Sequence, residues 1–265
     1  MALSQDMAIA TNIEDTQPEI LSEMQRLLSA AQVEQIHLRL IGGVAIRYHS
    51  PSATHRELHR DYPDLDFVVY RAERRRLEPF FNRMGYVPDR NFNLLNGERR
   101  QIFYDGRNGR RVDIFVGDFE MCHRRPMRDD RLRMHPVTVP LTELFLSKVQ
   151  IVELNRKDIL DLIALLLDNE VGRNGDEVIN LTRITRMCMH DWGLYKTLSI
   201  NLGRVEAVVT GQNPGLTEEE KGVVLGHIMA VRNALEAAAK PLLWRVRDRV
   251  GTRIRWYAEV EEVDR

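Results

Sequence analysis

The sequence predicts an α+β fold. A small mixed β-sheet with flanking helices is expected over residues 17–140 and an all-helical bundle over 141–265, after a flexible tail at 1–16. Two observations carry this. Before residue 140, short runs of β-branched and aromatic residues alternate with helix-like stretches and with Gly, Asn and Asp turns. From Leu141 onward, apolar residues recur at spacings of three and four, the helical period.

Along the chain, "PEILSEMQRLLSAAQ" predicts a helix opening at Pro18, with Ile20, Met24, Leu27 and Leu28 on one face. "IHLRLI" (36–41) predicts a strand ending at Gly42-Gly43, and "VAIRYH" the helix that follows. Residues 49–63 read as a polar loop, then come a strand at 64–70, a helix at 72–84 and a turn at Gly85. "FNLL" (92–95), "RQIFY" (100–104) and "RVDIFV" (111–116) are expected strands; Asp105-Gly106 and Asn108-Gly109 supply hairpin chemistry between the last two. "HPVTVP" (135–140), with proline near each end, suits a short edge strand. Helices are expected over 141–154 and 156–169, then near 176–190, 192–209, 217–239 and 241–262.

Hydrophobic residues at 43% and charged residues at 29% are those of a soluble globular protein. With 38 Lys plus Arg against 39 Asp plus Glu, bulk charge selects no polyanionic partner. Locally, "RAERRR" (71–76), "ERR" (98–100) and "HRRPMRDDRLRM" (123–134) make residues 70–135 basic; they suit either a solvated face or a track for RNA or nucleotides. Cys122 and Cys188 lie far apart in no CxxC pattern, which points to a reducing compartment. The polar first residues do not suit a signal peptide, and no run approaches the ~18 apolar residues of a membrane span. A cytoplasmic protein without membrane contact is expected.

The chemistry-bearing stretch is "DYPDLDFVVY" (61–70). Residues i and i+2 of a strand share a face, roughly 6.5–7 Å apart, so Asp64 and Asp66 project together while Leu65 and Phe67 face the core. Two such carboxylates repel and raise each other's pKa. A divalent cation reverses that, and Mg²⁺ suits best because it takes one or two carboxylates and completes its shell with water and phosphates. The alternative is a solvated strand start. "RVDIFV" adds Asp113 in mid-strand, where burial demands a partner. Beside 64–70 it would complete three carboxylates, enough for two metals roughly 3.5–4 Å apart; alone, it would pair with a local arginine. Gly42-Gly43 between strand and helix lets backbone N–H groups approach an anion, although a simple tight turn has the same sequence.

In chain order, strand–GG–helix, h-D-h-D-h and h-D-h resemble the nucleotidyltransferase superfamily typified by DNA polymerase beta and the aminoglycoside nucleotidyltransferases. The resemblance covers about residues 36–117. It implies that fold, with Gly42 and Gly43 holding nucleotide phosphates. Asp64 and Asp66 would ligate Mg²⁺, or Mn²⁺ in its place, and Asp113 would share a metal and act as general base. The partners implied are a nucleoside triphosphate, ATP among them, and an acceptor hydroxyl on a small molecule, an RNA or a protein. The gap between Gly43 and Asp64 is longer than the family's usual one and carries His49, His55 and His59, either a metal pair or a solvated loop. "LFLSKVQIVELNRKDILDLIALL" is similar to a segment of abortive-infection type nucleotidyltransferase toxins. There Lys148 would reach a phosphate and Asp158 would orient it; Asp158 and Asp161 share one helical face, which equally suits a solvated helix with local ion pairs. Other readings of the same residues are a toxin-like or nucleotide-binding module with little turnover and a metal-dependent phosphohydrolase. Trp192, Trp244 and Trp256 read as core.

Overall fold

The computed structural model describes residues 15–54, 57–127, 129–211 and 215–259. Helix α1 (Ile20–Val33) buries Met24, Leu27 and Ala31 and is capped by the Glu19 carboxylate, which accepts from the Ser22 N–H. Strand β1 (Arg39–Ile41) runs straight into helix α2 (Gly42–His49), so the two glycines are its first residues. Strand β2 (Leu65–Val69) carries Leu65 and Phe67 into the core, both fully buried. After a 3₁₀ turn at Arg71–Glu73 and helix α3 (Arg74–Arg83) come strand β3 (Val87–Pro88), helix α4 (Arg90–Asn96), and the hairpin of β4 (Arg100–Asp105) with β5 (Arg110–Val116).

These strands form one mixed sheet in the order β1-β2-β5-β4-β3. The β2–β5 pair is parallel and the others are antiparallel. A small hairpin follows, β6 (Asp118–Glu120) with β7 (Arg124–Pro126), then the short helix α5 (Asp129–Arg133). The predicted edge strand at 135–140 is reduced to one bridge, Leu40 with Thr138, bonded on both sides of Leu40.

The helical half opens with α6 (Leu141–Val149) and α7 (Arg156–Asp168), and Asn155 caps α7 by accepting from the Asp158 N–H. Two-residue strands β8 (Val171–Gly172) and β9 (Ile179–Asn180) precede α8 (Leu181–His190), α9 (Trp192–Gly211), α10 (Glu218–Ala237) and α11 (Leu242–Val250). Both α6 and α7 pack on α2, so one hydrophobic core joins the sheet half to the bundle. Trp192 and Trp244 are buried in it, as expected.

Other elements also differ from expectation, among them the start of the helix expected near 176–190, where Ile179–Asn180 is strand β9. Residues 92–95 are helical because Asp89 caps α4, accepting from the Phe92 N–H; Leu94 and Leu95 face solvent instead of a sheet. The last helix stops at Val250 because Gly251 takes a positive φ of 63°, well short of residue 262. Residues 15 and 16, placed in the tail by sequence, are tied to the β4–β5 turn: Arg107 pairs with Asp15 and Asn108 donates to Thr16. The rest of that tail, 1–14, lies outside the described residues, as does His55. Among the described residues no helix is long and apolar enough to cross a membrane.

Candidate functional site

The sheet places the predicted residues in one row. Ile41 of β1 lies opposite Asp66 of β2, and Asp66 lies opposite Asp113 of β5. Adjacent strands sit about 4.8 Å apart, so Asp66 and Asp113 project side by side. Gly42, next to Ile41, closes the row from the other side. It adopts φ 76°, and a Cβ built on it would run into the Asp66 carboxylate. Both the backbone conformation and the close approach therefore require glycine. Gly42→Ala is expected to cost about 1–3 kcal/mol in urea unfolding. Gly43→Ala should also destabilise, because its Cβ would run into the Arg60 guanidinium that holds Asp161 and approach the Tyr62 ring; an unchanged stability in Gly42→Ala would remove the close-approach argument.

The three aspartates differ in partners. Asp113 is almost wholly buried and bound by Arg100, whose Nε donates to Oδ1 at 2.7 Å while Nη2 contacts Oδ2. Asp64 faces Arg111, with Nη2 at 3.5 Å from Oδ2. Asp66 has no hydrogen-bond or ion-pair partner among the described residues and is only partly exposed. Burial and then the Asp113 charge push its carboxyl up to about 7; Asp64 adds to this, and Lys148 and Arg111 offset only part of it.

Beside this row lies a second cluster. Lys148 on α6 donates to Asp158 at 2.8 Å and pairs with Asp161 at 2.9 Å, both on the first turns of α7. Arg60 also binds Asp161, Nε to Oδ1 at 2.8 Å and Nη2 at 2.7 Å to the Oδ2 that Lys148 contacts, and lies over the Tyr62 ring at 4.0 Å. The two cations balance the two carboxylates. Burial alone would make Lys148 easier to deprotonate, but Asp161 and Asp158 outweigh it and hold the ammonium charged. Lys148 has its Nζ engaged by both aspartates of α7, and its charge still acts on Asp66.

Of the predicted residues, Gly42, Asp66 and Asp113 are directly adjacent; Gly43 and Asp64 neighbour them in sequence, Lys148 acts on Asp66 through its charge, and Asp158 joins through its bond to Lys148. Two-metal occupancy is where geometry and expectation part. Among the described residues no three His, Cys, Asp or Glu side chains are gathered closely enough to hold a metal ion. The arginine-paired alternative for Asp113 is the arrangement seen. Asp66, unpartnered among the described residues, would offer a hard divalent cation a carboxylate oxygen once ionised, with acidic neighbours beside it; the donor set suits one such ion on Asp66 with Asp64 or Asp113. The histidine insert gives no metal pair that can be described: His49 turns to Thr138, Nε2 to Oγ1 at 2.7 Å, and His59 is exposed.

Arg60, Arg100 and Arg111 were not singled out from sequence. Arg60 lies in the loop at 49–63, where no periodicity marks a partner, and only tertiary contact with α7 gives it a role. Arg100 could have been found, because a strand two residues from a hairpin partner carrying a buried aspartate needs a cation on the same face.

No family model matches the chain, and no curated protein is similar to it.

Proposed function

We propose that the protein is a Mg²⁺-dependent nucleotidyltransferase that moves a nucleoside monophosphate from a triphosphate to an acceptor hydroxyl. The observation that carries this is the row Gly42–Asp66–Asp113, an anion-accepting glycine turn set against an unpaired carboxylate. The acceptor oxygen would form a bond to the α-phosphorus as the bond to pyrophosphate breaks. The acceptor's proton would pass to the Asp113 carboxylate, which Arg100 holds in place. Asp66, with Asp64 or Asp113, would hold Mg²⁺, which supplies charge neutralisation on the phosphates. The backbone N–H groups at the start of α2 would bind the β- and γ-phosphates. Lys148 would offset part of the Asp66 charge from within its balanced cluster, and Asp158 would fix its position.

The expected result is stabilisation by a triphosphate with Mg²⁺, about 2.7 kcal/mol at a hundredfold excess over Kd, and its loss in Asp66→Asn. Thermal unfolding with each of the four triphosphates checks this. No stabilisation at millimolar triphosphate would sink the reading. α-Labelled triphosphates then separate chemistries: label on an acceptor means transfer, whereas free monophosphate alone means a phosphohydrolase.

A second reading is favoured by the arginines. Arg100 on Asp113 and Arg111 near Asp64 occupy carboxylates that a metal would use, as suits a nucleotide-binding module with little turnover. Triphosphate binding without label transfer to any acceptor would select it.

A further inference from the structure

A cavity of about 250 Å³ opens on the far side of Asp113 from the glycine turn. Its lining includes Arg71, Phe92, Arg99, Arg100, Phe115 and Arg124. Its position follows from the sheet order: Gly42 beside β2, then Asp66, then Asp113 on β5, then Arg100 on β4. Phe115 lies two residues beyond Asp113 on the same strand face. Displacement at phosphorus is in line, so the acceptor and the leaving pyrophosphate take opposite sides of the α-phosphate. With the triphosphate tail at the glycines, the acceptor side falls on this cavity.

The walls specify the acceptor. Asp118 is shared between Arg124, at 2.5 Å, and Arg71, at 3.6 Å, leaving the pair with one cation in excess. Arg99 only reaches Glu120 at 4.0 Å. The guanidinium side chains are the more open ones, Arg71 58%, Arg124 64% and Arg99 78% exposed, against 42% for Glu120 and 18% for Asp118. Arg100 lies 5.2 Å from the centre of the Phe115 ring and 5.8 Å from that of Phe92, so flat apolar faces adjoin the cations. A cavity below the usual ~300–1,000 Å³ of ligand pockets admits one ring-and-phosphate unit more readily than a multi-ring aminosugar. Outward guanidinium groups also repel a polycation.

We propose that this cavity binds the acceptor and that the acceptor is a nucleotide unit, an anionic phosphate next to a planar base, free or at the end of a chain. Its role as acceptor rests on the phosphoryl-transfer reading; its binding does not.

The test measures binding and transfer separately. A fluorescein-labelled ribo-oligonucleotide with a free 3′-hydroxyl is titrated by anisotropy, and a nucleoside 5′-monophosphate is titrated in parallel by calorimetry. Binding of the oligonucleotide marks a chain end, and binding of the monophosphate alone marks a free nucleotide; either supports the inference. Arg71→Ala with Arg124→Ala should weaken binding at least tenfold. Arg99→Ala, whose partner is exposed, should weaken it severalfold with little risk to folding, and Arg232→Ala, on α10, paired with Glu206 of α9 and outside the cavity lining, should not. Failure of both anions to bind, unchanged binding in the arginine variants, or label transfer to the cationic aminosugar kanamycin overturns the inference. Arginine-dependent binding with no label transfer to any acceptor leaves the cavity assignment standing and defeats the transferase reading.

Discussion

Replacing Lys148 by methionine is expected to destabilise the protein by about 3–5 kcal/mol, the range for removing one partner from a buried ion pair. Lys148 is 13% exposed, and its partners Asp158 and Asp161 are 10% and 1% exposed. With Lys148 and Arg60 present the cluster is neutral; without Lys148 two carboxylates share one guanidinium in a site that water barely reaches. Methionine preserves most of the volume, so the loss reports charge and not a cavity. The double variant Lys148→Met/Asp158→Asn restores the balance and should be more stable than Lys148→Met alone. Urea unfolding of the four proteins of this cycle measures the coupling. If the double variant is no more stable than the single, the ammonium is not holding the aspartates. On the transferase reading Lys148→Met also abolishes transfer, because the cluster locks α6, α7 and the segment before β2 around the start of α2.

Much of this arrangement was legible in the sequence where local pattern and chemistry agree. The strands bearing Asp66 and Asp113 announce themselves because an acid among β-branched and aromatic residues violates both propensity and burial. The glycine pair announces itself because few other residues join a strand to a helix without an intervening loop. Helix α4 was misread because Phe92, Leu94 and Leu95 look like a strand by composition, whereas Asp89 and Gly97 mark the ends of a short capped helix. Its leucines are exposed, so no apolar periodicity could correct the error. The partner of Asp161 was illegible for a different reason. Arg60 meets Asp161 across about a hundred residues of sequence, and nothing local distinguishes it from other loop arginines. Sequence alone also suggested that all three aspartates touch metal, with Asp113 doubling as general base, whereas the fold gives them different neighbours and, of the three, leaves Asp66 unpaired among the described residues.

That inequality makes Asp66→Asn the most informative single change. In the folded protein the Asp66 carboxyl keeps its proton up to about pH 7, against 3.8 in the unconstrained group. Between those values the folded state binds more protons than the unfolded one, so stability falls as pH rises. The decline should run from about pH 4 to 7 and level off above, when Asp66 is ionised in both states. Residual solvent contact screens part of the penalty, so the expected loss is about 2–3 kcal/mol and not the full equivalent of the shift. Asparagine cannot ionise. In the absence of divalent cations Asp66→Asn should therefore be more stable than the wild type at pH 8 by about that amount and nearly equal to it at pH 4. Mg²⁺ at pH 8 should raise the wild type toward the variant and leave the variant unmoved, because a cation offsets the repulsion with Asp113 only where the charge exists. Urea unfolding at pH 4, 6 and 8, with and without Mg²⁺, contains every arm. A variant no more stable than wild type at pH 8 would mean that Asp66 is already compensated and leave the site without its distinguishing feature. A variant that gains stability yet loses nucleotide transfer would show that the fold keeps this carboxylate at a cost to its own stability, which a purely structural aspartate has no reason to impose.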